Sequence, residues 1–208
     1  MLSYVRMGIN LLDVLVLVMC VVVHEISHGY AALLLGDKTA KYAGRLTLNP
    51  LKHIDLWGSI ILPIILALLP GGLVFGYAKP VPVNPYNLRN RRYGEAIVAF
   101  AGPLSNIFLA VFFALLLRFG LQSGLSLPVE FVGKLILINI VLAVFNMVPV
   151  PPLDGSKVLF GLLGTRGEGF RRHMERFGLI YIIIFIFFLW DLVSPLIIKI
   201  FDLLIGGF

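Results

Sequence analysis

The sequence predicts an all-α polytopic membrane protein: a helix bundle with one small strand-like hairpin and one short or re-entrant membrane segment. Three observations carry this. The chain of 208 residues is 59% hydrophobic and only 13% charged, against about 45–50% and 25% for an average soluble domain. Its apolar residues fall in long runs separated by short polar loops, which no single soluble core could bury. Its basic residues lie in those loops, at Lys38–Lys52, Lys79–Arg92 and Arg166–Arg176.

The elements follow in order. The first apolar run, Leu11–Leu35, reads as a retained spanning helix. No small-residue cleavage site follows it, as a signal peptide would require, and Gly36-Asp37 stops it with a glycine suited to the helix C-cap. In the polar stretch Lys38–Asp55, the alternation of Tyr42-Ala-Gly-Arg-Leu-Thr-Leu-Asn49 reads as one or two short strands. Leu56–Leu69 is apolar but short for a crossing, holds Pro63, and closes on Pro70-Gly71-Gly72. Val74–Gly94 is an ordered loop rich in Pro, Asn and Arg. A second span covers Glu95–Arg118. A third begins near Val129, is interrupted at Pro149-Val-Pro-Pro152 and resumes through Leu153–Leu163. Phe177–Leu204 is a last apolar stretch, one tilted span or two shorter pieces.

The net charge of +6 is spread over loops without an aromatic-interleaved face, which excludes nucleic acid as a partner. The lipid bilayer is the partner that the composition names. The positive-inside rule places the three basic loops in the cytoplasm and Phe119–Pro128, without Lys or Arg, outside. Two basic loops flank Leu56–Leu69, so that segment enters and leaves on one side. With one cysteine, Cys20, no internal disulfide forms. No repeat, linker or appended domain interrupts residues 1–208, which read as one membrane-embedded domain.

The chemistry starts at His24-Glu25-Ile26-Ser27-His28. On a helix, residues four apart share a face, so His24 and His28 can reach one metal ion. Glu25 beside them is placed to take a proton from an activated water. A carboxylate at membrane depth costs roughly 2.5–3.5 kcal/mol on insertion scales, so it needs a partner or a role. A third protein ligand is required. The metzincin extension fails, because Ala31 and Leu34 stand where Gly and His are needed. The remaining candidates are Cys20, His53, Asp55 and Asp154. Cys20 has the character of a buried small hydrophobe, and His53 and Asp55 lie in a polar loop. Asp154 follows three prolines that break the helix inside an apolar run. Broken helices at that depth line wet cavities or are buried in protein, so Asp154 either binds an ion or caps the helix that follows.

Three motifs occur in order along the chain: His24–His28, Gly102-Pro-Leu-Ser-Asn106, and Asn146-Met-Val-Pro-Val-Pro-Pro-Leu-Asp154-Gly155. With Gly76–Pro85, they make the chain resemble the site-2 protease family of intramembrane zinc metalloproteases, in its short bacterial and archaeal form without a PDZ domain. The likeness covers nearly the whole chain. It implies one zinc ion per chain held by His24, His28 and Asp154, with Glu25 catalytic. Asn146 would hydrogen-bond the substrate backbone or the developing oxyanion, and Asn106 would support the site structurally. It implies a single membrane-embedded protease domain over 1–208, in a bacterial or archaeal cell membrane. The substrate would be a membrane protein with a spanning helix, cut in or near that helix by attack of zinc-activated water. The segment Tyr42–Asn49 would pair with the unwound substrate by strand addition. The rival reading is a metal-ion transporter or channel that uses the His and Asp residues as a transit site.

Overall fold

A computed structural model describes residues 11–61 and 78–206. Among them every regular element is helical. Helix α1 spans Leu11–Leu34, α2 Thr39–Tyr42, α3 Gly94–Gln122, α4 Val129–Asn146, α5 Asp154–Leu163, α6 Glu168–Arg176, α7 Gly178–Ile184 and α8 Trp190–Ile205. A π-helical segment, Phe185–Leu189, joins α7 to α8, so the last apolar stretch is one continuous helical run. Among the described residues, four helical stretches are long and apolar enough to cross a bilayer: Leu12–Leu34, Gly94–Gln122, Val129–Asn146 and Ile180–Ile205. The chain is a multi-pass membrane protein. At 1.5 Å per residue α3 is about 43 Å long, more than a hydrocarbon core of about 30 Å.

Helix α3 is the central element and packs against α1, α4 and α5. Small residues let the backbones approach: Ala110 and Ala114 are buried against Val132, Ile136 and Ile140 of α4 and Ile197 of α8. Without a hydrophobic drive between helices in lipid, such close contact supplies the packing energy. The outward faces are apolar and exposed, as at Phe108, Phe112 and Phe119 of α3 and Phe188, Leu192 and Leu203 of the last run. That is the surface a bilayer covers.

Helix α1 ends as its sequence predicts. Gly36 takes φ +106°, Gly36 N–H donates to Leu33 O and Asp37 N–H to Ala32 O at 2.9 Å, which is a Schellman termination. Beyond it the structure departs from expectation. Tyr42–Asn49 forms no strand. Tyr42 ends α2, Gly44 turns the chain at φ +64°, and the Asn49 side chain caps a 3-10 turn at Pro50–Lys52. The alternation fails because Arg45, a charged residue in the alternating stretch, is buried. Its guanidinium donates to the carbonyls of Lys52, Lys79 and Pro80. A positive-φ glycine next to an inward arginine cannot keep the period of two that a strand needs. Leu56–Ile61 is π-helical, and the rest of Leu56–Leu69, where a re-entrant element is expected, lies outside the described residues.

The described part of the loop leading into α3 is fastened at two places. Arg45 holds Lys79 and Pro80. Asp37 holds its far part, accepting from Asn84 N–H at 2.7 Å and from Asn87 Nδ2 at 3.0 Å. Between these anchors the loop lies along the C-terminal half of α1, where the two histidines are.

Candidate active site

His24 and His28 project from one face of α1, with ring centroids 4.7 Å apart and the rings nearly perpendicular. Asp154, the first residue of α5, meets them from the other end of the chain. Its Oδ2 lies 3.0 Å from His24 Nε2 and 3.1 Å from His28 Nε2. All three side chains are buried. Asp154 does not cap α5: the N-cap is Leu153, without a side-chain cap bond. Of the two roles that the sequence leaves open for Asp154, capping α5 is therefore not the one seen. The neighbouring glycine makes the approach possible, since a Cβ on Gly155 would run into the backbone of Met147 and Val148.

The outer nitrogens of both rings are spoken for. His28 Nδ1 lies 2.7 Å from Val98 O. A carbonyl only accepts, so this nitrogen carries a proton. His24 Nδ1 lies 2.5 Å from Asn106 Oδ1 and is protonated by the same logic. In neutral rings both Nε2 atoms then present lone pairs, and they face a carboxylate oxygen. A carboxylate oxygen 3.0 and 3.1 Å from two such lone pairs is repelled by them unless a proton or a metal cation stands between. Two imidazoles and a carboxylate, each histidine anchored through its second nitrogen, form a donor set that fits zinc.

Glu25 completes the group. The ligand-type atoms of His24, Glu25 and His28 all lie within 4.8 Å of one another. Glu25 Oε2 accepts from Val81 N–H at 2.9 Å. A cavity of about 370 Å³ opens over these residues, lined also by Asn146, Glu95 and Lys157. The Asn146 amide donates to Leu142 O at 3.0 Å, which leaves its second N–H and its carbonyl oxygen. Lys157 Nζ stands 3.9 Å from Asp154 Oδ1, and Glu95 is paired with Arg171 at 3.3 Å.

The other candidates lie elsewhere. His53 is buried in the loop, with Nε2 bonded to Thr47 O at 2.9 Å. Asp55 accepts from Gly58 N–H at 2.8 Å in its own turn. Cys20 is buried one turn before His24, where Asn139 Nδ2 donates to its sulfur at 3.2 Å. Sequence reasoning missed Val81, Val98, Asn139 and the part played by Gly102. A Cβ on Gly102 would stand 2.5 Å from His28 Nε2 and 2.6 Å from His24 Nε2, so this glycine makes room for the two rings. One signal was present for Asn139: it is an amide in an apolar helix, seven residues before Asn146 and thus on the same side.

The sequence profile of peptidase family M50 matches residues 13–129 and 121–189. A Bacillus subtilis protein, provisionally named zinc metalloprotease YwhC, is 37% identical over 193 residues, covering 88% of this chain and 80% of its own. A Mycolicibacterium smegmatis protein, provisionally named zinc metalloprotease Rip2, is 29% identical over 184 residues, covering 88% and 68%. A Methanocaldococcus jannaschii protein, provisionally named zinc metalloprotease MJ0611, is 44% identical over 90 residues, covering 42% and 46%. No solved structure gives a significant match.

Proposed function

Because this chain belongs to peptidase family M50, we propose that it is a zinc metalloendopeptidase that cuts a membrane-protein substrate in or near a transmembrane segment. The observation that carries the reading is the meeting of His24 Nε2, His28 Nε2 and Asp154 Oδ2 beside Glu25 in a buried cavity. In this reading His24, His28 and Asp154 hold one zinc ion. When bound, zinc supplies Lewis-acid polarisation of a carbonyl and acidifies a water at its open position.

The remaining work falls to the chain. Val81 N–H holds one oxygen of Glu25, leaving the other to take the proton of the attacking water and pass it to the leaving amine. Asn146 offers an N–H and a carbonyl oxygen to the peptide backbone, as a donor to the developing oxyanion or as an acceptor from the next amide. The burial of the histidines raises the strength of every interaction in the site. The lipid-covered surface of the bundle makes a spanning helix the natural substrate, unwound locally so that a peptide bond is free of its intrahelical partners.

Two experiments test this. Membrane fragments compared by proteomics between cells with the wild-type chain and cells with Glu25→Gln should show cleavage products that only the wild type yields, with new ends in or beside spanning segments. Products confined to soluble domains would sink the intramembrane assignment. Gly102→Ala should weaken zinc binding at least about 10-fold, a loss of the size produced by disturbing what orients a metal's ligands. Alanine favours a helix over glycine by about 1 kcal/mol, which offsets part of the about 1–3 kcal/mol that the added methyl costs against the rings, so the chain should stay folded while the metal goes. Wild-type zinc affinity in Gly102→Ala would mean that the rings do not occupy the place described.

A further inference from the structure

We infer that Asn139 is a positioning residue for the metal centre: acting through Asn106, it fixes the His24 tautomer whose Nε2 faces the metal. This rests on the reading of His24 as a zinc ligand. Asn139 and Asn106 are fully buried, in α4 and α3. Asn139 Nδ2 donates to Leu135 O at 2.8 Å and to Cys20 Sγ at 3.2 Å. Its Oδ1 accepts from Asn106 Nδ2 at 2.8 Å, and Asn106 Oδ1 meets His24 Nδ1 at 2.5 Å.

The direction of this chain is not free. An amide can turn over, exchanging its oxygen and nitrogen. The Leu135 carbonyl cannot, since it only accepts. It therefore takes the nitrogen end of Asn139 and turns the oxygen end to Asn106. That selects the nitrogen end of Asn106 and turns its oxygen to His24. His24 Nδ1 must then donate, and its Nε2 keeps the lone pair. Turning either amide over would set two like groups against each other in a buried place, where an unmet polar group costs about 1–3 kcal/mol. His28 receives the same instruction in one step, from Val98 O. Both rings thus take their tautomer from a backbone carbonyl, His24 through two intervening amides.

Asn139 could instead act only by filling space. The two roles separate in an Asn106→Asp background. A carboxylate accepts at both ends, so it needs nothing to orient it, whereas a space-filling role would persist. The measurement is the zinc dissociation constant of the purified full chain, by competition with a chelator. Asn139→Leu should weaken zinc about 10–100-fold when residue 106 is Asn, and less than about 3-fold in the Asn106→Asp background. Equal losses in both backgrounds, or none in either, would overturn the inference. Zinc affinity unmoved by His24→Ala would overturn the ligand assignment itself, and this inference with it. Nitrogen NMR of labelled histidine in the unmutated protein gives a second readout that needs no variant to fold. His24 protonated at Nδ1 supports the inference, and protonation at Nε2 in the metal-loaded protein overturns it.

Discussion

Exchange of Glu25 for Gln is expected to leave zinc in place and lower peptide turnover by about 10²–10⁴-fold, the range that a positioned general acid–base contributes. Glutamine has the size of glutamate, and its side-chain oxygen still accepts from Val81 N–H, so the contact seen at 2.9 Å survives the exchange. What it loses is the ability to take a proton. Zinc content by mass spectrometry and cleavage of a reconstituted membrane substrate are the two measurements. The same variant separates a hydrolase from a metal conduit. A transit site needs polar ligands but no proton acceptor, so it would keep partial transport with Gln at this position. Cleavage near the wild-type rate would remove Glu25 from the general-base role.

Asp154→Ala is expected to cost more than about 100-fold in zinc affinity, beyond what contacts outside the ligand shell contribute. Asp154 Oδ2 is the atom common to both histidines, at 3.0 and 3.1 Å. Removing it would take away the proposed third ligand and a negative charge that faces both Nε2 atoms. Lys157, 3.9 Å from the other carboxylate oxygen, would then stand over the site without its counter-charge. Asp154→Asn keeps the shape and should lose zinc nearly as severely, which assigns the effect to charge rather than to a cavity. No other early candidate can replace Asp154 as found. His53 is bonded to Thr47 in the loop, and the Cys20 sulfur faces Asn139. Retention of zinc by Asp154→Ala would transfer the third position to Glu25, the remaining ligand-type group near the histidines.

Where sequence reasoning succeeded, the information was local. Long apolar runs gave the spans, because lipid requires each crossing to satisfy its own backbone within one segment. The four-residue spacing of His24 and His28 put them on one face before any fold was known. Gly36 marked the end of α1, because the termination there needs a positive φ. The prolines at 149, 151 and 152 marked the break before Asp154. Where reasoning failed, a long-range contact overruled a local pattern. The alternation at Tyr42–Asn49 read as a strand, but Arg45 folds inward to carbonyls as far along the chain as Lys79 and Pro80. Three backbone acceptors for one buried guanidinium outweigh a weak strand preference.

The sequence alone determined a multi-pass helical protein, the His-Glu-x-x-His face and the helix break that frees Asp154. Each follows from covalent geometry and from the solvent the chain must live in. Only the tertiary structure decided which groups meet. Asp154 reaches His24 across 130 positions, Asn106 reaches it across 82, Val98 reaches His28 across 70, and Val81 reaches Glu25 across 56. Such pairings leave no periodic trace, because they depend on how helices cross and how closely they approach. Gly102 lets α3 close on the histidines and Gly155 lets α5 close on the broken segment. The proposed metal-binding geometry arises where those two close approaches coincide, and no local spacing encodes that coincidence.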